Sequence, residues 1–130
     1  MKDYVADTHA LFWYLSNSAK LGSDASTAFS LAEEGDALIH IPAIVLAELF
    51  YLNVKLKRPI DFVDKYKELE QASQFLLTSF DTEDLLDFER DSLVTEMHDR
   101  MIVGLARRLE APLMTVDKNI IESGLVEIVW

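Results

Sequence analysis

Four acidic side chains, Asp7, Glu48, Asp99 and Asp117, each stand in a local context that directs them towards one pocket. Carboxylates gathered inside a fold are costly unless a cation joins them, because burial and like charge both disfavour their ionised form. A set of hard oxygen donors suits Mg²⁺ or Mn²⁺, with waters and a substrate phosphate completing an incomplete shell. Glu48 carries this reading furthest. It sits inside an apolar helical stretch, with Ile44, Val45, Tyr51 and Leu52 as its neighbours at three and four residues, and a mid-helix residue cannot cap. Taken singly, the other three have a plainer alternative, since an Asp beside a helix N-terminus accepts a backbone N–H or complements the dipole.

The elements that must position these acids follow a βα alternation, short apolar runs separated by amphipathic segments, which predicts an α/β domain on a parallel sheet. Strands are expected over residues 3–6, 37–41, 75–80, 112–116 and 126–129. Asp7 ends Tyr4-Val5-Ala6 and Asp117 ends Leu113-Met114-Thr115-Val116, so both stand where a strand gives way to a helix, the edge at which parallel sheets hold their sites. Helices are expected over 9–15, 24–34 (capped by Ser23, stopped by Gly35), 43–57, 61–72, 82–93 and 100–110. Asp99 opens the last of these, and Ile102, Val103 and Ala106 turn that face inward.

Length and composition bound the rest. A chain of 130 residues, half of them hydrophobic, is sized for one domain with a proper core, residues 1–130. No apolar run approaches a membrane span and the start lacks a signal-peptide core, so a soluble, cytoplasmic protein is expected. The absence of cysteine excludes disulfides and thiolate sites. A formal net charge of −11 argues against a broad nucleic-acid footprint and invites a basic partner. His9, His40 and His98 are too dispersed for a zinc site, and there is neither a Gly-x-Ser-x-Gly elbow nor a phosphate-cradling glycine loop. Lys55, Lys57 and Arg58, with Arg107 and Arg108, read as helix C-terminal charges facing solvent, whereas Arg100 beside Asp99 is better placed to grip a phosphate. The first helix, Leu11-Phe12-Trp13-Tyr14-Leu15, is apolar nearly all round, which suits either core burial or a partner surface.

The ordered blocks resemble the PIN domain family, specifically the VapC-type toxins of toxin–antitoxin pairs. The carriers are Asp7-Thr8-His9-Ala10-Leu11-Phe12-Trp13, then Ala43 to Leu49 around Glu48, then Asp99-Arg100-Met101-Ile102-Val103, then Leu113-Met114-Thr115-Val116-Asp117, and finally Val126 to Trp130. Two departures stand out: Glu96-Met97-His98-Asp99 replaces a frequent Asp-Pro-x-Asp, and Pro42 replaces a frequent Ser. The resemblance implies a three-layer α/β/α sandwich with a five-stranded, mostly parallel sheet. It further implies a divalent-metal-dependent endoribonuclease toxin, in which Asp7, Glu48, Asp99 and Asp117 hold Mg²⁺ or Mn²⁺ and a metal-activated water hydrolyses an RNA phosphodiester. Thr8 and Thr115 would support the acids, with Glu96 and Arg100 nearby. RNA as substrate, a basic cognate antitoxin and a homodimer belong to the same implication, with no membrane. The alternatives are a catalytically silent PIN-like interaction module and a haloacid-dehalogenase-type phosphohydrolase. The latter needs a second Asp two residues after Asp7, where His9 stands.

Overall fold

The computed structural model describes residues 1–130. Its five strands, β1 (Lys2–Ala6), β2 (Ala37–Pro42), β3 (Phe75–Thr78), β4 (Leu113–Met114) and β5 (Ile128–Val129), form one sheet of order β3-β2-β1-β4-β5. Every pairing is parallel, so the expected mostly parallel sheet is parallel throughout. The helices are α1 (Thr8–Leu15), α2 (Ser23–Glu33), α3 (Ala43–Lys55), α4 (Phe62–Gln71), α5 (Met97–Arg108) and α6 (Lys118–Ser123). The chain steps from β1 through β2 to β3 in one direction and crosses back to β4 and β5 in the other. Right-handed crossovers therefore put helices on both faces and make three layers. The reversal lies between β1 and β4, and a ligand crevice is expected outside their carboxyl ends.

The core is one cluster in which Val5, Ile39, Ile41 and Leu113 from the strands meet Leu11, Phe29, Leu49, Ile102 and Ile120 from the helices. The apolar first helix is largely absorbed by its own chain. Tyr14 stacks on Phe29 with ring centroids 4.1 Å apart, and Trp13 meets Trp130 edge-on at 5.5 Å. Core burial accounts for this helix, with Trp13, Tyr14 and Leu15 only partly buried.

Several boundaries depart from the sequence expectation for identifiable reasons. α2 begins at Ser23 itself, with Gly22 at the cap position and no side-chain cap. Trp130 packs so closely there that a Cβ on Gly22 would collide with its backbone carbon, and the Trp130 carbonyl accepts the Asp24 N–H at 3.0 Å. Gly35 does stop this helix, at φ 86°. α3 ends at Lys55 because Lys57 and Arg58 take left-handed backbone angles. β4 is shorter than expected because the chain leaves the ladder at Thr115, whose hydroxyl turns to Asp7.

The largest departure is residues 82–93, expected as an α-helix. A 3₁₀ helix spans Thr82–Asp87 and turns follow it. Leu85, Leu86 and Leu93 are all exposed, so no apolar stripe docks this segment on the sheet. Ion pairs tie it to α5 instead: Arg108 reaches Asp84 at 3.3 Å and Asp87 at 2.6 Å, and Arg107 reaches the fully buried Asp91 at 2.7 Å.

Candidate active site

Asp7, Glu48, Asp99 and Asp117 line one cleft of about 530 Å³ at the carboxyl ends of β1 and β4, together with Thr8, His9, Leu52, Val116 and Lys118. The two strand-end acids are caps and pocket residues at once. Asp7 caps α1, its Oδ1 accepting the Thr8 N–H at 2.7 Å, and Asp117 caps α6, its Oδ1 accepting the Ile120 N–H at 2.9 Å. Each cap leaves the second carboxylate oxygen for other work. Asp7 Oδ2 accepts from the Thr115 hydroxyl at 2.6 Å, and that same hydroxyl oxygen accepts the Asp117 N–H at 3.0 Å. Thr115 therefore couples the two acids.

Glu48 reaches the cleft from the middle of α3, three residues after Val45 and one before Leu49, which are both buried. Its Oε1 accepts from the Thr8 hydroxyl at 2.8 Å. Thr8 thus holds Asp7 through its backbone and Glu48 through its side chain. Pro42 stands at the cap position of α3 with no side-chain bond, so the hydroxyl absent there is a missing cap.

Asp99 lies in the first turn of α5, whose cap is Glu96: Glu96 Oε2 accepts the Asp99 N–H at 2.7 Å. Glu96 fills the capping role without the proline at the next position. The Asp99 carboxylate itself accepts no hydrogen bond within the chain and is half-buried. Burial is the main cause that lifts it to about 7, and Asp117, Asp7, Glu96 and Glu48 add repulsion in that order. Burial also raises Asp7, opposed by the Thr115 and Thr8 hydrogen bonds, and raises Glu48, opposed by Thr8. Four carboxylates facing each other with so little compensation form a site short of positive charge.

Three residues near the acids were not singled out in the sequence as part of the site. His98 Nδ1 stands 3.3 Å from Glu96 Oε1 and 3.8 Å from Glu48 Oε2, and His9 and Lys118 line the cleft. The available signal was adjacency, because His98 precedes Asp99 and Lys118 follows Asp117. His40, by contrast, lies outside this cleft and meets Asp3 at 2.9 Å.

The arginines correct the sequence expectation. Arg100 turns away from the cleft, donating from Nε to the Val94 carbonyl at 2.6 Å and from a terminal nitrogen to the Phe88 carbonyl at 3.2 Å. Arg107 and Arg108, expected as solvent-facing charges, are engaged by Asp84, Asp87 and Asp91. All three hold the 82–94 segment on α5, and none is offered to a phosphate.

The donor set fits a hard divalent cation by its chemistry: carboxylate oxygens, no thiolate, and an unpartnered half-buried carboxylate in Asp99. No three His, Asp or Glu side chains converge tightly enough in this conformation to ligate one ion directly. Mg²⁺ dehydrates reluctantly and usually takes only one or two carboxylates directly, so such a spread set is compatible with an ion that retains water.

A parallel sheet reversing at β1/β4, with acids at that edge, defines an α/β protein whose switch point holds an anionic pocket rather than a nucleotide loop. The chain belongs to the PIN domain family, whose family model matches residues 4–124. Solved structures resemble it over nearly the whole length. VapBC2 from Rickettsia felis, bound to a DNA fragment from its promoter, aligns with a TM-score of 0.67 and 21% identity over 97% of this chain and 96% of that one. DNA-bound VapBC from Salmonella typhimurium gives 0.64 and 18% over 98% and 97%. FitAcB from Neisseria gonorrhoeae gives 0.63 and 18% over 96% and 95%. At these identities the likeness is one of fold. No curated protein matches the sequence.

Proposed function

We propose that this protein is a divalent-cation-dependent endoribonuclease and the toxin half of a VapBC-type pair, with residues 1–130 forming one nuclease domain. The observation that carries the proposal is the meeting of Asp7, Glu48, Asp99 and Asp117 in one cleft, where burial and mutual repulsion lift Asp99 to about 7. Structural likeness to VapBC and FitAcB supports the toxin reading.

Asp7, Glu48, Asp99 and Asp117 would hold Mg²⁺ or Mn²⁺. Bound there, the cation supplies Lewis-acid polarisation of a phosphate oxygen and a lowered water pKa. Thr115 and Thr8 orient Asp7, and Thr8 also orients Glu48, so the carboxylates are presented by fixed hydroxyl and backbone donors. Glu96 shapes the turn that carries Asp99. The antitoxin is expected to be basic, complementing the charge of −11. Exposed Phe50, Tyr51, Val54, Val63 and Tyr66 on α3 and α4 offer more apolar surface for it, or for a second copy, than the well-covered α1.

The test is cleavage of mixed RNA substrates by purified protein with Mg²⁺, with Mn²⁺ and with chelator. Cleavage with either ion, lost in chelator and in Asp99→Asn, is the expected result. Undiminished cleavage in chelator, or none under any condition, overturns it.

A further inference from the structure

We propose that Lys55, Lys57 and Arg58 form a phosphate-binding subsite that holds single-stranded RNA beside the acidic cleft. The inference rests on the ribonuclease reading and names where the flanking strand is gripped.

The cations of the chain point to it by elimination. Of twelve Lys and Arg residues, Arg90, Arg107 and Arg108 face Asp84, Asp87 or Asp91, and Arg100 serves two backbone carbonyls. Lys65 faces Glu68 on its own helix, and Lys118, which lines the cleft itself, stands 3.9 Å from Glu122. Among those left, Lys2, Lys20 and Lys67 are scattered, whereas Lys55, Lys57 and Arg58 are close together in the sequence, exposed and without a carboxylate at ion-pair distance, Asp61 lining the same depression as Arg58.

Helix geometry aligns Lys55 with the cleft, whereas Arg58 lines a separate depression with Phe50, Asn53 and Asp61. Glu48 and Leu52 both line the cleft, and Lys55 follows Glu48 by seven residues on α3. Seven residues return to nearly the same side of a helix, about 10 Å further along its axis. A strand leaving the acids along that face of α3 arrives at Lys55, from which the loop carrying Lys57 and Arg58 continues.

A helix-dipole role explains Lys55, which lies in the last turn of α3, but Lys57 and Arg58 lie beyond the helix. Both adopt left-handed angles, φ 66° and 59°, where glycine would sit without strain. The loop is nevertheless held firmly. Buried Asn53 accepts the Arg58 N–H on its backbone carbonyl at 2.7 Å, and its side-chain amide pairs with the Ile60 N–H and carbonyl at 3.1 and 2.9 Å. Cationic side chains thus occupy positions that backbone geometry would assign to glycine. In a chain of net charge −11, repelled by phosphate elsewhere, a fixed cationic loop supplies a local foothold.

The test measures fluorescence anisotropy of labelled single-stranded RNA in Mg²⁺ against salt, with Asp99→Asn protein to keep the RNA intact. Adding Lys55→Gln, Lys57→Gln and Arg58→Gln together should weaken binding and flatten the log–log salt slope by about 2, the release expected from three single-strand contacts. Lys55→Gln alone, on an exposed helix surface, should flatten it by about 0.7 and guards against misfolding of the loop. In cleavage by otherwise wild-type protein, the triple substitution should raise KM for long RNA. Unchanged affinity and slope in both variants, the outcome also expected if this loop serves a protein partner, overturn the subsite while leaving cleavage intact. Absence of cleavage by wild type, with the slope still lost in the variants, overturns the nuclease reading and leaves the subsite standing.

Discussion

Thr115 donates its hydroxyl to Asp7 Oδ2 at 2.6 Å, joining residues 108 positions apart, while its oxygen accepts the Asp117 N–H. One buried hydroxyl therefore sets the orientation of an acid on β1 and the start of the helix after β4. Thr115→Val keeps the shape and removes both bonds. It should destabilise the protein by about 1–3 kcal/mol, the cost of an unsatisfied buried acceptor, and lower RNA cleavage at constant metal. Urea denaturation paired with a cleavage assay checks this; a variant of wild-type stability and activity would show that Asp7 is held by Thr8 alone.

Amide substitution of the four acids should separate catalysis from folding. Asp7→Asn, Glu48→Gln, Asp99→Asn and Asp117→Asn are each expected to abolish cleavage. In chelator, Asp99→Asn should raise the melting temperature most, because its carboxylate is the one lifted to about 7 and accepts no hydrogen bond. Asp7→Asn should gain least or lose, since both oxygens accept bonds that an amide cannot fully replace. Mg²⁺ should raise the melting temperature of wild type more than that of any variant. Folded variants that cleave normally would reduce these acids to structural roles.

The pH dependence has a definite sign. Asp99 rises from 3.8 to about 7 on folding, and Asp7 and Glu48 are raised as well. Between the unfolded and folded values the native state binds more protons than the unfolded chain, so stability falls as pH rises. The stability advantage of Asp99→Asn in chelator should therefore be small near pH 4, grow through pH 7 and level off above it. Saturating Mg²⁺ should shrink that advantage. Thermal melts across this range decide, and a pH-independent difference would mean that Asp99 does not titrate against the fold.

Arg107 is the sole cation within ion-pair distance of the fully buried Asp91, at 2.7 Å, although the pair lacks hydrogen-bond alignment and acts through charge. Arg107→Met strands a buried carboxylate and should cost about 3–5 kcal/mol. Combining it with Asp91→Asn should recover part of that loss. Chemical denaturation of the single and double variants provides the measurement, and a single-variant loss below about 1 kcal/mol, the range of exposed pairs, would show that water reaches Asp91.

Co-expression with the adjacent open reading frame should yield a complex with a small basic protein. Its affinity should fall as salt rises, because opposite net charges attract over a distance that counterions screen. A complex indifferent to salt would place the binding energy in the apolar surface of α3 and α4, and no complex at all would remove the toxin–antitoxin reading.

Local pattern carried much of this protein. Asp7 and Asp117 were placed at strand ends by the apolar runs before them, and Glu48 at an inward position by its helical neighbours, because period and capping act within a few residues. The carboxyl edge of the sheet followed from the parallel class those runs imply, but only the strand order made β1 and β4 neighbours there. Tertiary structure alone decided the pairings that make the site work: Thr115 with Asp7, Thr8 with Glu48, and His98 between Glu48 and Glu96. It also decided that Arg100, Arg107 and Arg108 turn onto the 82–94 segment, and that this segment is held by charge instead of forming the α-helix its composition suggested. Such choices depend on which side chain lies opposite across a long loop closure, and a long, flexible cation is free to pair with whichever carboxylate or carbonyl the fold brings within reach.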